Sequence, residues 1–248
     1  NLVYEITPKF PHRHIFLVKA TLANPNPLGQ VFMLPNWIPG SYLIRDFAKN
    51  IVSISVTSKG NEIPIKKLDK NHWIVSPCRD SIVVEYEVYA FDLSVRSAYL
   101  TNERAFFNGT SVFLLPIGFE ENVCELVVNL PDNESVLGDW KCATTLSLKT
   151  KKATSQTYVA DNYHDLIDHP VEMADFKVIE FYANQIPHQM TLTGLNTAVT
   201  DRLKSDLIAI CEHHLNFFGD IVPFDNYLFL TLVRSKGYGG LEHKKSTS

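Results

Sequence analysis

The sequence predicts a mainly β protein, an N-terminal antiparallel β-sandwich followed by the start of an α+β unit. Three observations lead there. Short apolar–polar alternations recur up to about residue 165, separated by turns rich in Pro, Asn and Gly. One strong helical pattern occurs, towards the end of the chain. An almost wholly apolar run, Tyr227–Val233, follows it, as expected of a strand buried on both faces. The chain has 248 residues, 45% hydrophobic and 20% charged, and is long enough to bury a sizeable core without disulfides.

Taken in order, strands are expected at Val3–Thr7, His14–Leu22 and Gln30–Leu34. Val52, Ile54 and Val56 then alternate with Ser53, Ser55 and Thr57, and Val84, Tyr86 and Val88 alternate with Glu85 and Glu87. That period of two describes half-buried antiparallel strands with a polar outer face. Further runs lie at Trp73–Ser76, Val112–Leu115, Cys124–Leu130, Thr144–Leu148 and Thr157–Ala160. Asn24-Pro25-Asn26-Pro27, Lys59-Gly60-Asn61 and Pro131-Asp132-Asn133 supply turns. The character changes after His169-Pro170, which divides the chain into residues 1–170, the sandwich, and 171–248, an incomplete second domain. Val178–Ala183 and Gln189–Thr193 are expected strands of that second part. A helix follows over Thr200–Phe218, where Leu203, Leu207, Ile210, Cys211, Leu215 and Phe218 form one apolar stripe. Thr200 is placed to cap its start, Gly219 suits its end and Pro223 prevents continuation. A helix, a buried strand and a Gly-rich segment do not complete a domain, so the second unit is expected to be cut short at Ser248.

Composition removes several classes of function. With 23 Lys and Arg against 27 Asp and Glu the net charge is −4, so no basic surface for nucleic acid is expected. No apolar run reaches the roughly 18 residues of a membrane span, and the first residues carry no signal-peptide core. Cys78, Cys124, Cys142 and Cys211 form no CxxC pair and are expected to be reduced thiols of a cytoplasmic protein.

Four segments are candidates for chemistry. In Gly237-Tyr238-Gly239-Gly240-Leu241-Glu242-His243, three glycines in four positions allow close approach of a ligand to the backbone. A carboxylate and a His follow at once, a way to hold a cation at the end of an extended peptide; the bland alternative is a flexible loop with a solvated Glu. Trp37–Phe47 reads as a packed loop with an Arg45–Asp46 surface pair. His164, His169 and Glu172 match no standard metal spacing and read as a polar connector. On the helix, Cys211 belongs to the stripe, while Glu212 and His213 point away from it. No HExxH occurs, so neither a metal ligand set nor a catalytic residue is assigned within the chain.

These residues together resemble the N-terminal part of the glycyl aminopeptidase family of zinc metallopeptidases, peptidase family M61. Trp37-Ile38-Pro39-Gly40-Ser41-Tyr42-Leu43-Ile44-Arg45-Asp46-Phe47 is similar to a signature near the family's start. Asn108-Gly109-Thr110-Ser111-Val112-Phe113-Leu114 resembles a second block, and Asp168-His169-Pro170-Val171-Glu172-Met173 resembles the junction into the catalytic domain. Tyr238-Gly239-Gly240-Leu241-Glu242-His243 resembles the strand before the zinc helix. The resemblance implies a thermolysin-like catalytic domain, opened here by residues 171–248, and a PDZ-like domain in the full-length protein. It implies zinc in that protein, with its ligands beyond Ser248 and none bound by this fragment, which alone is expected to be inactive. The implied activity is removal of small N-terminal residues, Gly and Ala, from peptides by zinc-activated water.

Related larger zinc aminopeptidases carry Gly-Ala-Met-Glu-Asn at the equivalent place, where the Glu binds the substrate's α-amine. By position that role falls on Glu242, with Gly239 and Gly240 presenting backbone to the peptide and His243 standing where those relatives have Asn. The expected partner is thus a peptide with a free N-terminus, with no nucleic acid and no membrane. More weakly, Leu115–Glu120, with Tyr99 and Arg104 nearby in sequence, occupies a place where those relatives send a loop towards the substrate. The rival reading is a non-catalytic β-sandwich module that binds a peptide or protein. A glycoside-handling sandwich ranks last, because no acidic pair is identifiable.

Overall fold

The computed structural model describes residues 2–219 and 221–248. It is mainly β, in four sheets. The largest has eight strands, in the order Ser147–Lys151, Ser155–Ala160, Cys124–Asn129, Leu2–Phe10, Ile15–Leu22, Ile82–Tyr89, Ile51–Ser58 and Asn61–Glu62. Its neighbours are antiparallel with one exception: Leu2–Phe10 runs parallel to Cys124–Asn129, a departure from the purely antiparallel sheet expected. Two four-stranded sheets complete the first body. One comprises Lys141–Ala143, Val171–Ala174, Arg104–Phe107 and Ala98–Leu100; the other Leu115–Pro116, Gln30–Met33, His72–Val75 and Ile65–Lys67. A single hydrophobic core joins all three, with Tyr4, Val18 and Val84 from the first, Phe107 and Met173 from the second, Phe32 and Trp73 from the third.

Alternation translates into burial where pairing is regular. Ile82, Val84, Tyr86 and Val88 are all at most 1% exposed, and the residues between them face outward. On Ile51–Ser58 the pattern fails at one end. The register against Ile82–Tyr89 shifts between Ile51 and Ser53, and the bulged residue Val52 is 60% exposed rather than inward.

The expected strand Val112–Leu115 is instead a 3-10 turn at Gly109–Ser111, an irregular stretch and a two-residue strand at Leu115–Pro116. The reason lies in three buried tyrosines. Tyr86 donates its hydroxyl to the Val112 carbonyl at 2.7 Å, Tyr163 to Phe113 at 2.7 Å and Tyr4 to Leu114 at 2.6 Å. Carbonyls satisfied by side chains need no strand partner. Burial raises the pKa of all three hydroxyls, which stay protonated donors.

The fourth sheet is formed by Lys177–Ala183, Ile186–Thr193, Tyr227–Leu232 and Ser246–Thr247. The first two form a hairpin turning at Asn184 and Gln185, both at positive φ (45° and 67°), as a two-residue turn matched to strand twist requires. Ile186–Thr193 then connects through the helix Thr200–Phe218 to Tyr227–Leu232, its parallel neighbour. Leu203, Leu207, Ile208 and Cys211 pack on Ile179, Phe181, Met190 and Leu192. The packed stripe is only half-buried and is rotated from the expected one: Ile208 packs inward, while Ile210 and Phe218 are 55% and 79% exposed. Thr200 is the first helical residue and Val199 the cap, so no side chain caps the start; Gly219 ends the helix at φ +89°. On the sheet's other face Leu228 and Leu230 pack against Phe106 of the first body, so both faces of Tyr227–Leu232 are covered.

Candidate functional site

The Gly-rich segment ends in a hairpin. Leu241 and Ser248 exchange both backbone hydrogen bonds, at 2.8 and 3.0 Å, Glu242 opposes Thr247, and the His243 N–H donates to the Ser246 carbonyl at 2.8 Å. Lys244 and Lys245 form the turn. Ser246–Thr247 pairs in parallel with Leu228 and Phe229 and ends the fourth sheet, and Leu241–His243 pairs along its outer side through these backbone bonds and a bridge at Glu242. Strand alternation fixes where each side chain goes. Leu241 is 1% exposed and the His243 side chain 4%, while Gly239, Gly240 and Glu242 are exposed.

Three distant segments hold this strand. Gly40, at φ +84°, abuts it so closely that an added Cβ would meet Leu241 Cδ1 at 2.5 Å and lie 3.9 Å from Glu242 Oε1. Arg96 clamps both loops, donating from Nε to the Gly40 carbonyl and from Nη2 to the Gly240 carbonyl, each at 3.3 Å. Asp168 lies 3.5 Å from His243 Nδ1 and accepts the Lys244 N–H at 3.1 Å. Burial tends to raise the Asp168 pKa, but the His243 ring and the Lys244 N–H outweigh it and hold the carboxyl below its ordinary value. The first, third and fourth segments that carry the resemblance thus meet in space. The second stands behind them: the Asn108 amide donates to the Val95 and Ser97 carbonyls, on either side of Arg96.

Beside the edge strand lies a cleft of about 690 Å³, walled by Leu93–Arg96, Arg104 and Phe106 on one side and by Leu230–Arg234 and Lys236–Gly240 on the other. Gly239 and Gly240 line it, whereas Glu242 and His243 do not. Arg104 reaches the cleft; Tyr99, stacked on Phe91 at 5.5 Å, and the Leu115–Glu120 loop are not in its wall.

Other expectations are corrected. Arg45 and Asp46 do not pair: Arg45 Nε donates to Ser41 Oγ at 2.9 Å, and Asp46 takes Lys70 at 2.7 Å. His169 and Glu172, read as part of a polar connector, are 5% and 0% exposed, and Glu172 does connect the two parts of the chain through Arg104 on one side and Thr191 and Thr193 on the other. His169 binds Thr145 Oγ1 at 2.6 Å, and Glu172 accepts Arg104 Nε at 2.6 Å. Two residues that matter here were not assigned from the sequence. Arg96 belongs to no motif, and the tie between Asp168 and His243 spans too many residues for any local spacing to show it. Among the described residues no group of three or more His, Cys, Asp or Glu is arranged to hold a metal ion, so the residues present do not fit a zinc site.

Comparisons with known proteins agree with this architecture. A family model described as the peptidase M61 N-terminal domain matches residues 3–175. The crystal structure of an aminopeptidase N family protein from Idiomarina loihiensis superposes with a TM-score of 0.94 at 43% identity, covering 100% of this chain and 41% of that one. An M1 zinc metallopeptidase from Deinococcus radiodurans shares the fold at a TM-score of 0.55 and 11% identity, covering 99% of this chain and 59% of that one. A mutant of that enzyme bound to a Tyr-Ser-Ala substrate gives 0.54 and 13%, with 99% and 59% covered. No curated protein matches the sequence significantly. The chain spans about 41% of the length of the Idiomarina relative. By its matched domain, the chain belongs to the peptidase M61 family.

Proposed function

We propose that the chain is the N-terminal portion of a cytoplasmic zinc aminopeptidase, with a β-sandwich domain that extends past the expected boundary at residue 170 to include Val171–Ala174, which pairs within it, and with the residues after that strand the opening of its thermolysin-like catalytic domain. On this reading the zinc is held by residues outside these 248. The carrying observation is the segment Gly239–Glu242 at the sheet's edge, in which Gly239 and Gly240 are exposed and line the cleft and the exposed Glu242 follows outside its wall.

An extended peptide laid along that edge exchanges backbone hydrogen bonds with Gly239 and Gly240, which lack a Cβ to obstruct it. Its terminal ammonium pairs with Glu242. A charge-assisted contact of this kind contributes about 1.5–3 kcal/mol. Only a chain end carries that ammonium, so cleavage is confined to the first residue, with small residues, Gly and Ala, preferred. His243, expected with Glu242 among the substrate-binding residues, is turned inward beside Asp168 with its side chain 4% exposed, so on this reading it backs the segment rather than touching the peptide.

The test is hydrolysis of glycine and alanine p-nitroanilides by the longer protein, with and without a zinc chelator. Activity abolished by the chelator and restored by zinc supports the proposal. A zinc-loaded sample that hydrolyses neither substrate contradicts it.

A further inference from the structure

The cleft has a charge of its own. Arg96, Arg104, Arg234 and Lys236 line it and, among the described residues, no acidic side chain does, in a chain whose net charge is −4; Arg104 is paired with Glu172 behind the wall, so the uncompensated charge comes from the other three. A concave wall of one sign concentrates its field on ligands of the opposite sign. Arg96 is already committed to the Gly40 and Gly240 carbonyls. Arg104 is 7% exposed and rigidly mounted. Its Nε donates to the wholly buried Glu172, which Thr191 and Thr193 also hold, and its guanidinium lies 4.7 Å from the Phe106 ring centroid. One edge of the fork is thereby fixed before any ligand arrives, and its remaining N–H donors are of the kind that bind carboxylates in pairs. Arg234 and Lys236 stand exposed where the Gly-rich segment begins.

We infer that this cleft recognises a carboxylate on the bound peptide, with Arg104 as a fixed anchor and Arg234 and Lys236 as exposed partners. The group is either the peptide's own C-terminus or an acidic side chain downstream of the first residue. The choice of a peptide as ligand rests on the aminopeptidase reading; the anion preference rests on the cleft alone. Glu242 at the edge and the cations in the cleft then select a peptide of opposite charges along its length, amine first.

The test is calorimetric titration of the longer protein, with a zinc chelator present so that no peptide is cut, with alanine tetrapeptides: the free acid, the C-terminal amide, an amide ending in Glu, and N-acetylated forms of all three. The free acid, the Glu-containing amide, or both should bind at least tenfold more tightly than the neutral amide, and which of them does so identifies the carboxylate. Raising salt from about 50 to about 500 mM should shrink that advantage. Arg234→Gln with Lys236→Gln, both exposed and therefore mild for folding, should remove most of it at an unchanged melting temperature. Arg104→Lys, which keeps the charge but not the fork, should weaken the acidic peptides alone. Equal binding of acidic and neutral peptides, or no binding by any, overturns the inference. If N-acetylated acidic peptides bind as well as their free-amine counterparts, the cleft assignment stands and the amine role of Glu242 fails. If binding needs the amine and ignores the carboxylate, the reverse holds.

Discussion

The Glu172 carboxylate accepts a hydrogen bond from Arg104 Nε at 2.6 Å in a site from which Glu172 is wholly excluded from solvent. The Thr191 and Thr193 hydroxyls donate to the same carboxylate, each at 2.9 Å. One side chain thus ties two strands of the first body to the hairpin that begins the fourth sheet. It also orients the arginine at the cleft wall.

Glu172→Ala is expected to destabilise the protein by about 3–5 kcal/mol, because it leaves a buried guanidinium without its counter-charge. Glu172→Gln keeps an acceptor for the threonines and should lose less. Urea unfolding of the three proteins measures both. A loss below about 1 kcal/mol for the alanine variant would show that the pair carries little of the join.

Gly40→Ala should cost about 1–3 kcal/mol, since the new Cβ meets Leu241 Cδ1 at 2.5 Å and the backbone sits at φ +84°. Gly60→Ala is the control: φ is +80° but nothing lies within 4 Å, so only backbone strain of about 1–2 kcal/mol is expected. Thermal unfolding should rank Gly40→Ala as the more harmful. Equal losses would mean that Leu241 yields without cost.

Acid should weaken the fold in two separate windows. Burial lowers the His169 pKa from its ordinary 6.5, against the opposing pull of Asp165 and Asp168. A histidine whose folded pKa lies below its unfolded value favours the folded state when neutral. Its contribution is complete above about pH 6.5 and is lost as pH falls towards the folded pKa. Asp168, whose carboxyl is held below 3.8, loses its contribution only at lower pH, as pH falls through its folded pKa. His169→Gln should therefore flatten the stability profile between pH 7 and 5 and leave the steeper acid limb intact. Denaturant midpoints across that range check it, and an unchanged slope would exclude His169 as the source.

Much of the fold was legible because period-two alternation reports burial directly wherever a ladder is regular, as at Ile82–Tyr89. It failed where a longer-range contact overrode local pattern. The bulge at Val52 moved a valine outward, and three tyrosine hydroxyls replaced strand pairing at Val112–Leu114. Arg104–Phe107 has no alternation to read, since all four residues are buried, the arginine by virtue of a partner 68 residues away. In the site, the glycines and Glu242 were visible as a motif. The hydrogen bonds from Arg96 to Gly40 and Gly240 depend on how two loops meet, which no spacing along the chain encodes.

The most direct test of the edge strand as the amine-binding element is kcat/KM for alanine p-nitroanilide in the longer protein, comparing Glu242→Gln with wild type alongside their melting temperatures. Loss of one charge-assisted contact of about 1.5–3 kcal/mol predicts a fall of roughly 10- to 150-fold. The melting temperature should not move, because Glu242 is exposed. An unchanged kcat/KM would contradict the assignment of the α-amine to Glu242.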